Sequence, residues 1–205
     1  MILFIITSLV VMVCTRYVDS AAALFIQRHF YASSVWYHYT SDLPDSLLLF
    51  AGVTTVCAYA GFRFRAGRNV FDAVTKLCLL IAFAVPAAYG AKIVTKTIFG
   101  RINTRVWIQA QETYGFHWFQ GGGAFNGFPS GHMVVFTAVL AAFWRIFPRW
   151  KNLYLAAGIA LSAALIATNY HFVGDVVAGA YLGIIVETAA FRGVIRQRQF
   201  RGGNA

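Results

Sequence analysis

Charged residues are scarce in this 205-residue sequence, where they make up 12% of the chain and where only seven of them are acidic. A soluble globular domain has about 25% charged residues. Hydrophobic residues make up 59% of the chain, and they form several runs close to the ~20 residues that a helix needs to cross a bilayer. The composition excludes an ordinary soluble domain. It predicts an all-α polytopic membrane protein with a bundle of six transmembrane helices.

Cysteine is rare as well, since the sequence contains only Cys14, Cys57 and Cys78. All three lie inside apolar runs, and their odd number and wide spacing fit neither a disulfide framework nor a metal-binding motif. We expect them to be thiols buried in the membrane.

The sequence also lacks internal repeats, low-complexity linkers and any shift in composition along its length. Residues 1–205 are therefore predicted to form a single integral-membrane domain. A net charge of +10 is compatible with nucleic-acid binding, but the basic residues occur in short clusters between apolar runs. Such clusters are typical of orientation signals in membrane proteins, so we expect no nucleic-acid partner.

Six apolar segments are predicted to be transmembrane helices. The first begins at residue 2 and is expected to be irregular near residues 15–20, and the others cover about residues 46–62, 74–90, 130–147, 152–169 and 171–190. A segment rich in aromatic residues, 30–45, is predicted to be a loop at the lipid headgroups. Gly179 and Gly183 in the sixth helix form a pair of small residues suited to close helix packing.

Basic residues are distributed unevenly between the turns. The turns after the second, fourth and sixth helices contain 11 of the 17 lysine and arginine residues. By the positive-inside rule these turns face the cytoplasm, which predicts cytoplasmic N- and C-termini in a cell (inner) membrane. The remaining basic residues then lie at the outer (periplasmic) face, and they include Lys96, Arg101 and Arg105.

The segment Phe128-Pro129-Ser130-Gly131-His132 joins a turn to the fourth helix. Ser130 is a favourable N-cap residue, and a helix N-terminus offers unpaired backbone N–H groups and a positive dipole end to an anion. His132, in the first turn, is placed to donate or accept a proton beside such an anion.

His171 and Asp175 are four residues apart near the start of the sixth helix, so they share a face if the helix includes both. A carboxylate that holds one ring nitrogen fixes the histidine tautomer and leaves the other nitrogen as a nucleophile or base. Phosphoryl transfer needs such a nucleophile, a proton donor for the leaving oxygen, and several cationic or N–H donors for the phosphate oxygens. His171, His132 and the basic run on the same face can supply these parts without a metal or another cofactor.

These segments resemble the membrane-integral type-2 phosphatidic acid phosphatases, a family related to the vanadium haloperoxidases. That family carries a lysine separated by six residues from Arg-Pro, then Pro-Ser-Gly-His, then Ser-Arg followed by a histidine and an aspartate. The second motif is matched here in full, and the end of the third is matched by His171 and Asp175. The resemblance implies that His171 is the nucleophile that forms a phosphohistidine, that Asp175 orients it, and that His132 protonates the leaving group. Ser130 and the Gly131 amide would then hold phosphate oxygens.

Two family positions are occupied by other residues. Asn103-Thr104 stands where the family has Arg-Pro, and Ala164-Leu165 stands where it has Ser-Arg. We expect Arg101 and Arg105 to bind the phosphate instead, since a spacing of four residues aims both side chains in one direction on a helix. The remaining predicted phosphate ligands are Lys96, Asn103 and Asn169.

Two further basic residues are not assigned to the site. Lys92 is expected to anchor the protein at the membrane interface. Arg16 is expected to form an ion pair with Asp19, three residues later in the sequence; contact of Arg16 with the substrate is the alternative.

The sequence thus predicts a membrane-embedded, metal-independent lipid phosphatase. Its partner would be a lipid phosphate or pyrophosphate such as undecaprenyl pyrophosphate, phosphatidylglycerol phosphate, phosphatidic acid or a phosphate of lipid A. Three alternatives remain open. The first is phosphotransfer to a second lipid, and the second is a metal-dependent enzyme in which His132, His171 and Asp175 are ligands. The third is a non-catalytic lipid-binding protein, which the two altered arginine positions suggest.

Overall fold

The computed structural model of the protein describes residues 2–30, 43–110 and 113–196, most of which are helical. The helices are α1 (Ile2–Val13), α2 (Asp19–Phe30), α3 (Leu43–Ala66), α4 (Ala73–Phe99), α5 (Thr104–Ala110), α6 (Gly131–Ile146), α7 (Lys151–Ala167) and α8 (Val173–Ala190). These ranges contain no strand, only an isolated bridge between Arg101 and Phe116. The predicted all-α polytopic fold is confirmed.

Five helical stretches in the described ranges are long and apolar enough to cross a membrane, namely Ile2–His29, Ser46–Ala66, Ala73–Phe99, Pro148–Ala167 and Val173–Val194. The remaining apolar helix, α6, has only 16 residues. Each predicted helix therefore has a counterpart, and the shortest one carries His132. Most of the aromatic segment predicted as a loop, residues 31–42, lies outside the described residues.

The first membrane stretch is not a regular α-helix throughout. Residues Cys14–Val18 form a π-helical segment between α1 and α2, and the Asp19 N–H donates to the carbonyl of Cys14, five residues earlier. π-Helical turns are rare and frequently occur at functional sites. The predicted irregularity near residues 15–20 is confirmed.

The centre of the bundle is formed by α4, which packs against α3, α6 and α8. Its side chains Leu79, Leu80 and Val85 are almost completely buried, as are Val134 and Val135 of α6. Close van der Waals packing of these side chains fixes the position of α4 in the bundle, and with it the position of the residues near its C-terminal end.

Helices α6 and α8 are in backbone contact at two glycines. A Cβ atom on Gly179 would come within 2.6 Å of the Ser130 carbonyl oxygen, and one on Gly183 would come within 2.5 Å of the Val134 carbonyl oxygen. The close packing predicted for this glycine pair is confirmed, and it holds the start of α6 against α8.

The third predicted helix is longer than expected. α4 continues beyond Gly90 to Phe99 and is followed by Gly100, whose φ of +51° suits a glycine C-cap. The sequence prediction ended the helix at Gly90, but a glycine inside a helix costs only about 1 kcal/mol, which packing against three neighbouring helices outweighs. Lys92 and Lys96 therefore lie on α4 and not in the following loop.

The C-terminal ends of α4 and α7 and the N-terminal ends of α6 and α8 meet at one end of the bundle. Residues 113–129 fold back there onto the end of α4. In this loop, the N–H groups of His117 and Gly127 donate to the carbonyls of Gly100 and Arg101, respectively. The site predicted from the sequence lies at this end.

Candidate active site

The N-terminus of α6 has the geometry of a capped helix start. Ser130 is the N-cap residue, and its side-chain oxygen accepts a hydrogen bond from the Met133 N–H at 3.4 Å. The Ser130 N–H in turn donates to the backbone carbonyl of Asp175 at 3.0 Å. Two candidate catalytic segments that are distant in sequence are thus joined by a direct backbone hydrogen bond.

His171 lies just before α8 and not within it. α8 begins at Val173, and Oδ2 of Asp175 caps it by accepting the Phe172 N–H at 3.1 Å. The same oxygen lies 3.7 Å from Nδ1 of His171, which is longer than a hydrogen bond. The closeness of His171 to Asp175 therefore depends on a loop conformation and not on helical spacing, because the helix does not include His171.

The His171 ring is almost completely buried, with 4% of the residue exposed. Burial lowers the pKa of His171 below its usual value, and Asp175 only partly counteracts this effect. The imidazole is therefore neutral at neutral pH, and one ring nitrogen keeps its lone pair. If Nδ1, the nitrogen nearer Asp175, carries the proton, Nε2 is the nucleophilic atom.

His132 and His171 lie side by side. Their ring centroids are 6.4 Å apart, and the Tyr170 ring lies beside both, at 5.4 Å from His132 and 5.1 Å from His171. Reacting atoms approach to about 3–3.5 Å before bond formation. Two imidazoles at this separation can therefore flank one phosphoryl group.

A cavity of about 370 Å³ opens beside the two histidines. Its wall includes three cationic side chains, Lys92, Lys96 and Arg105, together with Asn103, Asn126 and Gly131. Among the described residues that line it, none is acidic. The cavity therefore has a positive potential suited to an anion.

Lys92 and Lys96 reach the cavity from the C-terminal part of α4. Nζ of Lys96 donates to the backbone carbonyl of Asn126. The Lys92 side chain passes so close to Gly131 that a Cβ atom there would lie 2.7 Å from Lys92 Cδ. Lys92 was predicted to be an anchor at the membrane interface, but in the structure it lines the cavity. The four-residue spacing of the two lysines, which places them on one helix face, was the signal that could have found Lys92.

Arg105 comes from the first turn of α5. Its Nη2 donates to the Thr168 carbonyl at 3.0 Å, and its guanidinium carbon lies 5.0 Å from the centre of the Tyr170 ring. Asn103 caps α5, since its Oδ1 accepts the Arg105 N–H at 3.0 Å. These contacts hold the guanidinium at the cavity wall.

Arg101 does not line the cavity, contrary to the sequence prediction. α4 ends before Arg101 and α5 begins after it, so the four-residue spacing does not align its side chain with that of Arg105. The Arg101 guanidinium is completely buried between Asp19 and Asp175, at nitrogen–oxygen distances of 2.7 and 2.6 Å. Burial acts to lower the pKa of Arg101, but the two carboxylates raise it above its ordinary value. The side chain is therefore an ion-pair partner of Asp175.

Asn169 and Arg16 also differ from expectation. Asn169 adopts a left-handed conformation with a φ of 48°, and its Nδ2 donates to the Ala23 carbonyl of α2 at 3.2 Å. It therefore ties the end of α7 to α2 and does not face the cavity. Arg16 is exposed, and Asp19 pairs with Arg101 instead.

Within the described ranges, no group of three His, Cys, Asp or Glu side chains is arranged to hold a metal ion. His132, His171 and Asp175, considered above as metal ligands, do not form such a group. The Asp175 carboxylate is instead engaged by Arg101 and by the Phe172 N–H.

The sequence of this chain is similar to those of known proteins. A sequence model described as the PAP2 superfamily matches residues 73–199, which is more than half of the chain. Similar proteins include two named lipid A 1-phosphatase, from Rhizobium etli and Rhizobium johnstonii. Each is 38% identical over 65 residues, a segment that covers 32% of this chain and 28% and 27% of the two relatives. The match thus spans about a quarter of each relative's length. No solved structure matches the chain significantly.

Proposed function

This chain belongs to the PAP2 superfamily, and on that basis we propose that it is a membrane-embedded phosphatase that hydrolyses a phosphate or pyrophosphate group on a lipid. One observation carries the proposal. The buried imidazoles of His132 and His171, 6.4 Å apart, stand beside a cavity with three cationic side chains.

In the first step, Nε2 of His171 attacks the phosphorus atom while the bond from phosphorus to the leaving oxygen breaks. His132, protonated at the start, gives its proton to that oxygen. The lipid leaves as an alcohol, or as a lipid phosphate when the substrate is a pyrophosphate. Asp175, 3.7 Å from Nδ1 of His171, stabilises the positive charge that develops on the imidazole.

In the second step, His132, now neutral, takes a proton from a water molecule whose oxygen attacks the phosphohistidine. The bond from phosphorus to Nε2 breaks, inorganic phosphate leaves, and His171 returns to its neutral form. The two histidines account for every proton transferred in both steps, and we propose that the reaction is independent of a metal.

The phosphate oxygens are proposed to be held by cationic side chains and by the N-terminus of α6, where negative charge is favoured. The proposed ligands are Lys92, Lys96, Arg105, Ser130 and the Gly131 amide, with Asn103 as a neutral neighbour. Arg105 thus keeps the role predicted from the sequence, and Lys92 takes the place given there to Arg101.

The relatives named lipid A 1-phosphatase favour a phosphate on a lipid A-type glycolipid as the substrate. Phosphatidic acid, phosphatidylglycerol phosphate and undecaprenyl pyrophosphate are the other candidates. We further propose that residues 1–205 form one domain of a cell (inner) membrane, with both termini in the cytoplasm and the cavity at the outer face. The clusters of basic residues at the other helix ends support this orientation.

The test is phosphate release by the purified protein from these four classes of lipid, beside His171→Ala. We expect release from at least one lipid, loss of release in His171→Ala, full activity in EDTA and inhibition by vanadate. Absence of release from every lipid, or activity that persists in His171→Ala, contradicts the proposal. Loss of activity in EDTA supports the metal-dependent alternative, and phosphate recovered on a second lipid identifies a phosphotransferase.

A further inference from the structure

The ion pairs of Arg101 connect the proposed catalytic aspartate to the first membrane stretch of the chain. Nη1 of Arg101 donates to Oδ1 of Asp175 at 2.6 Å, and Nη2 donates to Oδ2 of Asp19 at 2.7 Å. At most 1% of each of these three residues is exposed. Asp19 lies in α2, outside the segment 73–199 that matches the family.

Asp19 also holds the start of α8. Its Oδ1 accepts the Gly174 N–H at 2.9 Å. A Cβ atom on Gly174 would lie 2.9 Å from Oδ2 of Asp19, so the carboxylate occupies the space beside this backbone. Asp19 therefore fixes the backbone next to Asp175 directly and the Asp175 carboxylate through Arg101.

The π-helical turn supplies two parts of this network. The Asp19 N–H bonds to the Cys14 carbonyl and not to the Thr15 carbonyl, with which it would pair in an α-helix. The Thr15 carbonyl accepts the Tyr114 hydroxyl at 2.8 Å, and the Tyr114 oxygen accepts a hydrogen bond from Nη2 of Arg101 at 2.6 Å. The irregular turn thus precedes the residue that binds Arg101 and orients the tyrosine that also binds it.

We propose that Asp19 and Arg101 are positioning residues for the pair of His171 and Asp175, so that the N-terminal helix is part of the active site. The inference rests on the phosphatase function proposed above. Arg101 holds Oδ1 of Asp175, and this contact keeps Oδ2 on the side of the His171 ring.

We infer that Asp19 is required to offset the positive charge of Arg101 next to Asp175. A single guanidinium next to Asp175 would cancel the negative charge that His171 needs when it becomes positive during the attack. With Asp19 present, the three buried side chains retain one net negative charge, which faces the imidazole. Asp19 and Asp175 each accept a hydrogen bond from the same guanidinium, so neither carboxylate is buried without a cationic partner.

The test compares kcat and KM of the purified full-length protein with those of Asp19→Asn, on the lipid phosphate that the wild type hydrolyses. Displacement of a reacting group by about 1 Å can lower the rate about 10²-fold. We expect this loss in kcat with little change in KM, because Asp19 and Arg101 do not line the phosphate cavity. Arg101→Gln is expected to show the same pattern, and Arg101→Lys, which keeps the charge, should recover part of kcat.

The matched control is Glu187→Gln. Glu187 is a completely buried carboxylate on the same helix as Asp175 and pairs with Arg145 at 2.6 Å, but it lies at the opposite end of α8. Glu187→Gln should leave kcat unchanged. An equal fall of kcat in Glu187→Gln and Asp19→Asn would overturn the proposal, since the effect would then be general destabilisation.

Tyr114→Phe decides the question if Asp19→Asn does not fold, because it removes only the hydroxyl that links Arg101 to the Thr15 carbonyl. We expect a lower kcat at unchanged KM in this variant. Wild-type kcat in every folded variant of the network, with an active wild type, overturns this inference alone. A wild type that releases phosphate from none of the lipids overturns the proposed function instead.

Discussion

Replacement of Arg105 with glutamine tests the proposed phosphate ligands most directly, because it removes one of the three cations at the cavity. Two unit charges about 4 Å apart interact by ~4 kcal/mol at an effective dielectric constant of ~20. Loss of a single donor to transition-state charge typically lowers the rate about 10²–10³-fold, or ~2.7–4 kcal/mol. The two magnitudes agree, so we expect Arg105→Gln to lower kcat/KM by about 10²–10³-fold.

Arg105→Lys separates charge from geometry. The lysine keeps the positive charge but lacks the planar group that donates to the Thr168 carbonyl and stacks on Tyr170. We expect a smaller loss of kcat/KM than in Arg105→Gln.

The assay is phosphate release at a series of lipid concentrations by variants with equal melting temperatures. Arg192→Gln is the control, since Arg192 is exposed beyond the end of α8 and is remote from the cavity. Equal kcat/KM values for Arg105→Gln and Arg192→Gln would show that Arg105 does not bind the transferred phosphate.

Three further outcomes are expected. Because burial lowers the pKa of His171, the ring stays neutral to more acidic pH, and the acid limb of kcat/KM due to this group should lie below the usual pKa of about 6.5. The profile is first corrected for ionisation of the lipid itself, which phosphorus NMR measures. An acid limb at or above pH 6.5 would then contradict the role of His171 as a buried, neutral nucleophile. Gly131→Ala places a methyl group 2.7 Å from Lys92 Cδ, which displaces the lysine and should raise KM. Gly158→Ala is the control, because the nearest neighbour of its methyl group lies at 3.7 Å. Equal KM values for the two variants would argue against phosphate binding by Lys92. Gly183→Ala places its methyl group 2.5 Å from a carbonyl of α6 and should lower the melting temperature, by overpacking. A melting temperature equal to that of Gly158→Ala would refute the contact.

The parts of the site that sequence could predict are set by local patterns. A serine after a proline turn and before an apolar run predicts a capped helix start in any tertiary context, and Ser130 occupies that position. His132 follows from it, because a residue in the first turn lies beside the helix N-terminus. The apolar runs likewise predict the helices, since crossing a bilayer requires a minimum length.

The ion pairs of Arg101 could not be predicted from its four-residue spacing to Arg105. The prediction assumed one helix through Arg101 and Arg105, but Gly100 ends α4 in a left-handed conformation and Asn103 caps a new helix. The partner of Arg101, Asp19, is 82 residues away. The sequence does indicate that Asp19 has a cationic partner, because an acidic residue within an apolar stretch needs one. The sequence does not say which cation it is.

The contact of α6 with α8 limits how a lipid can reach the two histidines. Backbone atoms touch at Gly179 and Gly183, so the helices cannot slide or separate without breaking a close-packed seam. His132, in the first turn of α6, and His171, just before α8, therefore lie at the end of one rigid block. Leu47 of α3 borders the same cavity, so any widening of the cavity falls to α3 and not to this block, and we expect exchange of lipid to be sensitive to cross-linking of α3 to α4.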